Sequence, residues 1–284
     1  IKNDIIFRIY TKLKNESDFQ AGNYLLSPSM SLDEIIENLK LGKVVQDPIY
    51  RVTIPEGLNI DQIAEIFAEE LPFTKEEFLK VVNDRVYIEE LISNYSFLSD
   101  DILKKGIKFP LEGYLFAATY DYYEEEPNIR SIIEEMLAQT QNIVQPYVNE
   151  IEEKELTIHE ALTFASLVEK EANEEEQRKP IAGIFYNRLE EGMRLQTDPT
   201  VAYAIGEHLE TTLKEHLDTD SPYNTYQING LPIGPISNFS KSSLEAVVQP
   251  METDYLYFLH DKKGEIHYAK TNDEHNENRN KYLN

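Results

Sequence analysis

The run from Thr157 to Ala172, TIHEALTFASLVEKEA, constrains the chain most, because it sets a carboxylate among apolar side chains on one helix. Thr157 with Glu160 three residues on is a capping-box pattern, so a helix starts there. Advancing about 100° per residue gathers Ile158, Ala161, Leu162, Ala165, Val168 and Ala172 on one arc, with Phe164 at a rim. Glu169 falls inside that arc, between the directions of Ile158 and Leu162. Glu160, Lys170 and Glu171 point elsewhere, and Glu171 lies nearest the Phe164 rim. A carboxylate on a buried face is either paired or held neutral by a raised pKa. A neutral carboxyl is what general-acid catalysis needs near pH 7. Periodicity alone leaves both readings open: an acid, or a buried Glu bonded to a backbone group or an arginine.

The rest of the composition excludes more than it identifies. Of 284 residues, 27 are basic and 52 acidic, a balance of −25. That disfavours nucleic acid and anionic membrane surfaces as partners. There is no cysteine, which removes thiolate nucleophiles, zinc–thiolate sites and disulfides. The histidines (His159, His208, His216, His260, His267 and His275) show no paired metal-ligand spacing on one helix face, so no metal and no cofactor is expected. No apolar run approaches the length of a membrane span.

The expected architecture is α+β, with an N-terminal region over residues 1–105 and a mixed α/β domain over 106–284. SLDEIIENL (Ser31 to Leu39) and NIDQIAEIF (Asn59 to Phe67) each read as a capped amphipathic helix. Each follows a segment of strand character, GNYLL and YRVTIPEG, which suggests a weak repeat. A second helix capped by Thr74 follows Pro72, giving a strand–helix–helix order over about 48–85. That order resembles LysM, a small module that grips N-acetylated glycans in other proteins. NIRSIIEEMLAQTQNIVQPYVNEIEEKE reads as one long scaffold helix. KPIAGIFYNRLEEG reads as a helix with Pro180 near its start and a core stripe of Ile181, Ile184, Phe185 and Leu189. Asp198-Pro199 fits an N-cap with proline at the first helical position, and Gly206 a stop. TDYLYFLHDKKGEIHYAK predicts a β-hairpin around Lys263-Gly264 near the C-terminus. The stretch from Ser221 to Asn238, SPYNTYQINGLPIGPISN, is dense in Pro, Gly, Asn and Tyr and nearly free of charge. It reads as a rigid polar–aromatic surface suited to stacking on sugars.

Eight words of the sequence, in order from Leu111 to Asn276, resemble the YceG-like (MltG) family of endolytic murein transglycosylases: LEGYLF, SLVEKEA, FYNRL, MRLQTDPTV, SPYNTY, GLPIGPI, TDYLYF and EHN. Family members often carry Pro-Asp after LEGYLF, where this chain has Ala117-Ala118. The resemblance implies a lytic transglycosylase that cleaves the MurNAc–GlcNAc β-1,4 bond of peptidoglycan strands and leaves 1,6-anhydro-MurNAc ends. It implies Glu169 as the catalytic residue, acid and then base. It also implies a body on the outer face of the bacterial cytoplasmic membrane, held by an N-terminal anchor, with peptidoglycan synthases as partners. Substrate-binding roles are expected for Gln196, Asp198, Tyr223, Asn224 and Tyr226, with Arg194 holding a stem carboxylate or bridging to Asp198. Glu112 and Glu171 are expected to raise the pKa of Glu169 by like-charge coupling. His275, in the EHN word, reads as structural. Two rival readings are a non-catalytic peptidoglycan-binding scaffold and a pyridoxal-phosphate lyase. The latter lacks a glycine-rich phosphate cup beside a candidate lysine.

Overall fold

A computed structural model of the protein describes residues 4–14, 16–27, 29–42, 47–206 and 213–283. The chain divides into two compact units, Ile1–Tyr50 with Asp121–Glu125, and Arg51–Tyr120 with Glu126–Asn284. The smaller unit contains α1 (Asp4–Lys14) and α2 (Leu32–Lys40). Ser31 and Glu34 close the capping box of α2, and the helix buries Ile35 and Ile36. The expected strand at GNYLL is irregular chain, with Leu25 exposed and no strand beside it among the described residues. The suggested repeat is therefore absent.

After β1 (Tyr50–Thr53), which begins on the last residue of the first stretch of the smaller unit, the larger unit continues with α3 (Ile60–Glu70), α4 (Lys75–Val82) and α5 (Arg85–Asn94). Asn59 and Thr74 cap α3 and α4 by capping boxes, and Asp84 caps α5. β1 pairs with β2 (Thr119–Tyr122), extended by the Ile54 N–H donating to the Ala118 carbonyl at 2.9 Å. Long-range bonds tie this segment to the rest of the larger unit. Asn238 donates from Nδ2 to the Pro55 carbonyl and accepts the Leu58 N–H at Oδ1, and α4 packs on α6 (Ile129–Val144).

The expected long helix ends at Val144, where Pro146 enforces a short 3-10 turn before α7 (Val148–Glu153). Helix α8 (Ile158–Glu171) starts at the Thr157 capping box as predicted. It is buried on every side from Ala161 to Val168 and packs against α9 (Glu175–Glu190), α10 (Asp198–Ile205) and α12 (Lys241–Val248). A helix covered all round is the centre of its unit. α9 begins five residues before Pro180, which therefore lies inside the helix. Gly183 on α9 lets the backbone pass, since a Cβ there would collide with the Met251 carbonyl oxygen. Thr197 is the N-cap of α10, one residue before the expected Asp198, and Gly206 ends it in the left-handed conformation. A short α11 (Lys214–Leu217) follows. The chain closes with the antiparallel hairpin of β3 (Tyr257–His260) and β4 (Ile266–Ala269), and α13 (Asn272–Tyr282). This mixture of helices with two small sheets agrees with the α+β expectation. Among the described residues, no helix is long and apolar enough to cross a membrane.

Candidate active site

The last turn of α8 carries two glutamates with opposite surroundings. The Glu169 side chain is 7% exposed, as its place in the apolar arc predicts. Its Oε2 accepts the Ser240 N–H at 2.8 Å, the Ser240 hydroxyl at 2.6 Å and the Ser243 hydroxyl at 2.7 Å. Its Oε1 accepts from Arg178 Nη2 at 3.2 Å. Ser240 is the N-cap of α12, so the carboxylate sits at a helix N-terminus, where the dipole favours negative charge. Burial pushes its pKa up, but the serine hydroxyls, the backbone N–H and Arg178 outweigh it, and the net shift is downward. The expectation of a neutral Glu169 is therefore corrected: the group is buried, but four donors keep it ionised. Nor does Glu112 act on it. The neighbouring carboxylate that couples to Glu169 is Glu56, whose own pKa is raised first by burial and then by Glu169.

Glu171, two residues on, is half-buried in the wall of a cavity of about 510 Å³. Gln196, Asp198, Tyr226, Arg188, Tyr257 and His275 also line it. The β-hairpin and α13 form one side, and the start of α10 with its preceding loop forms another. Burial, reinforced by the Asp198 carboxylate and opposed by Arg188, pushes the Glu171 pKa up to about 7. Arg188 is 8% exposed and spends its donors on carbonyls, Nε on Leu256 at 2.6 Å and Nη1 on Leu195 at 2.7 Å. The ring of Tyr257 lies 5.2 Å from its guanidinium carbon. Tyr226 donates its hydroxyl to Asp198 Oδ1 at 2.6 Å. Gln196 holds a positive φ of 51°, an uncommon backbone state for a side-chain-bearing residue that turns it out at the rim. His275 stacks on Tyr257, and its buried Nδ1 has no hydrogen-bond partner.

Of the residues expected from sequence, the structure thus brings together Glu171, Gln196, Asp198 and Tyr226. It does not bring Tyr223, Asn224 or Glu112 to the cavity. Asn224 is fully buried; its Nδ2 donates to the Leu217 and Thr219 carbonyls, and its Oδ1 accepts the Tyr226 N–H. Tyr223 is 3% exposed, with its hydroxyl accepting the Lys108 N–H. Tyr223 and Asn224 therefore turn inward and anchor the 221–238 loop to neighbouring chain, while Tyr226 reaches the cavity. Glu112 is 1% exposed and accepts from the Ile60 N–H and the Tyr203 hydroxyl, and burial raises its pKa to about 8. Arg194 is exposed and donates to the Tyr226 carbonyl at 2.6 Å rather than bridging to Asp198. Arg188, Tyr257, Ser240 and Ser243 were missed. Arg188 lies three residues past Phe185, on the predicted apolar stripe, and that was its available signal.

A second cavity has a volume of about 570 Å³. Lys170 and Pro199 line it, each next in sequence to a residue of the first cavity, Glu171 and Asp198. His159 is a core group: its ring nitrogens meet the Tyr114 hydroxyl and the Ile233 carbonyl. His208 lies outside the described residues. On the hairpin, Asp261, Glu265 and His267 could each offer one metal ligand. Asp261 already accepts two backbone N–H groups of the turn at Oδ1 and meets His267 at Oδ2.

Three comparisons place this geometry. The model of the YceG-like family matches residues 1–281. An endolytic murein transglycosylase of Bacillus subtilis (strain 168) is 42% identical over 99% of this chain and 79% of its own length. One from Streptococcus pneumoniae serotype 2 (strain D39) is 39% identical over 98% of this chain, which spans 53% of that relative. The crystal structure of a yceG-like protein from Listeria monocytogenes superposes with a TM-score of 0.78 at 45% identity, covering 97% of this chain and 90% of that one. Matched along nearly its whole length, the chain belongs to the YceG-like family.

Proposed function

We propose that the protein is an endolytic murein transglycosylase whose proton donor is Glu171 rather than the Glu169 expected from sequence. The observation that carries this reading is the contrast between the two groups. Glu171 faces a cavity with its proton held to about 7, while Glu169 is ionised and spent on α12 and Arg178. The names borne by the Bacillus and pneumococcal relatives supply the substrate class.

A strand laid along the first cavity presents its MurNAc–GlcNAc β-1,4 bond to Glu171. The carboxyl protonates the glycosidic oxygen, and the bond from C1 to that oxygen breaks. The C6 hydroxyl of the same MurNAc then bonds to C1 and returns its proton to the Glu171 carboxylate. The product is a 1,6-anhydro end, no water is consumed, and one carboxyl serves both steps, unlike the two-carboxylate hydrolases. Asp198 keeps Glu171 protonated before the reaction and stabilises positive charge at C1 during it. Tyr226 fixes the Asp198 carboxylate. The second cavity, lined by Lys170 and Pro199 next in sequence to Glu171 and Asp198, would give the strand room beyond the cleaved bond, as internal cleavage requires.

The strand–helix–helix order of β1, α3 and α4, closed by β2, supports a LysM-like module within the larger unit. We place the active body outside the cytoplasmic membrane beside peptidoglycan synthases, on the strength of its substrate. Mass spectrometry of purified murein digested by the protein tests the reading. Anhydro-MurNAc ends that vanish with Glu171→Gln support it, and reducing ends would make the protein a hydrolase instead.

A further inference from the structure

Lys108 and Lys170 line the second cavity, and neither forms an ion pair among the described residues. Lys14, Lys40, Lys75, Lys104, Lys241 and Lys270, by contrast, meet carboxylates in this chain of 52 acidic and 27 basic residues. The two cavity lysines are held by neutral groups. Lys170 Nζ donates to the Gly57 carbonyl at 3.0 Å. Lys108 Nζ donates to the Tyr203 carbonyl at 3.1 Å and lies 5.0 Å from the centre of the Tyr203 ring. Each ammonium has three donors, so each retains donors for a ligand.

The backbone is shaped around both heads. Gly206 ends α10 at a φ of 85°, and a Cβ there would come within 2.9 Å of Lys108 Nζ. Gly57, at a φ of 74°, brings its carbonyl to Lys170 in the same way. The acids nearby do not neutralise the pair. Asp61 on the cavity wall is already bonded to Lys75, and Glu112 beneath is buried, with its oxygens on the Ile60 N–H and the Tyr203 hydroxyl. The result is a cationic pocket beside Glu171 on an acidic protein.

Resting on the transglycosylase reading, we propose that Lys108 and Lys170 form a subsite for a free carboxylate on the peptide stem of the bound strand. Stems branch from the MurNAc lactyl group, so a stem next to the cleaved bond falls within reach of a pocket lined by Lys170, next in sequence to Glu171. Two positive charges with neutral holders bind a carboxylate without first breaking an ion pair, and charge-assisted bonds are the strong ones. The subsite would direct the enzyme to strands that still carry charged stems.

The test uses the full protein carrying Glu171→Gln, so that binding is read without cleavage. It is sedimented with insoluble murein, with the same murein whose carboxylates have been converted to amides by carbodiimide and ammonia, and with murein freed of phosphodiesters by hydrofluoric acid. Binding is expected to weaken about tenfold on amidation, roughly the loss of one charge-assisted bond, and to survive the acid treatment. Adding Lys108→Gln and Lys170→Gln should weaken binding to untreated murein to that same level and remove the discrimination. Equal binding to untreated and amidated murein would overturn the proposal. So would a double variant that still discriminates, or lysine-dependent binding that disappears with phosphate instead. Cleavage by the unsubstituted enzyme is followed separately: absence of anhydro ends would remove the parent reading while the binding comparison still decides the subsite.

Discussion

Glu169 accepts both the backbone N–H and the hydroxyl of Ser240, so one carboxylate ties the last turn of α8 to the first turn of α12 across 71 residues of sequence. Arg178 on α9 completes the clasp at the other oxygen. Three helices thereby meet at a residue two positions from Glu171, and on the proposed reading Glu169 sets the backbone from which Glu171 reaches the cavity.

Glu169→Ala leaves Arg178 without its partner in a largely buried place and strips the α12 N-terminus of its acceptor. Breaking such a pair costs about 3–5 kcal/mol. Urea titration should show a lower midpoint with an unchanged slope, the midpoint shift times that slope giving the loss. A shift within error would mean that the clasp does not hold the core.

Ser240→Ala removes an N-cap and a bond to an ionised carboxylate together, and about 1–2 kcal/mol of stability should go with it. Ser243→Ala removes a hydroxyl bond to Glu169 and the acceptor of Arg178 Nε, and should cost about as much. Because both serines meet the same oxygen, the double variant should lose less than the sum, a non-additivity that a double-mutant cycle reads directly.

Asp198→Asn removes the like charge that helps keep Glu171 protonated. The rate against pH should fall on the alkaline side near pH 7 in the unsubstituted enzyme, as the acid is lost by ionisation. In the variant that limb should move to lower pH. A limb that stays in place would mean that Asp198 does not couple to the catalytic proton.

Glu112, almost fully buried, ionises at about 8 in the fold against an ordinary value of 4.5. The folded state therefore holds a proton that the unfolded chain releases as pH rises from 4.5. Stability from this group is complete below pH 4.5 and is lost as pH climbs to about 8. Glu171 adds a slope of the same sign that ends near pH 7. Glu112→Gln should flatten the decline between pH 5 and 8 seen by thermal unfolding, by an amount on the order of a few kcal/mol. An unchanged decline would place the proton elsewhere.

The parts of this fold written in local spacing were readable from sequence. Thr157 caps its helix where Glu160, three residues on, places it, and Ser31, Asn59 and Thr74 also cap the helices expected of them, because a capping box is closed within one turn. The hairpin at Lys263-Gly264 follows equally from its own residues. The identity of the acid was not local. The helical wheel gave the direction of Glu169 correctly, but what lies in that direction is Ser240, Ser243 and Arg178, and an apolar arc says nothing about donors from other helices. Glu171, pointing away from the apolar arc, is expected from spacing only to tune Glu169; that direction leads to the cavity, whose wall it joins. The Tyr–Asn loop failed for a related reason: its composition suits sugars and backbone groups equally, and Asn224 spends its bonds on the Leu217 and Thr219 carbonyls and the Tyr226 N–H. Arg188 was hidden among aliphatic neighbours whose spacing it shares.

Anhydro-MurNAc ends released from murein by Glu171→Gln and Glu169→Gln proteins, each normalised to its folded fraction, test the central claim most directly. The account predicts that Glu171→Gln yields none above background, while Glu169→Gln, though less stable, still produces them. Product from Glu171→Gln together with none from folded Glu169→Gln would contradict it and return the proton to Glu169.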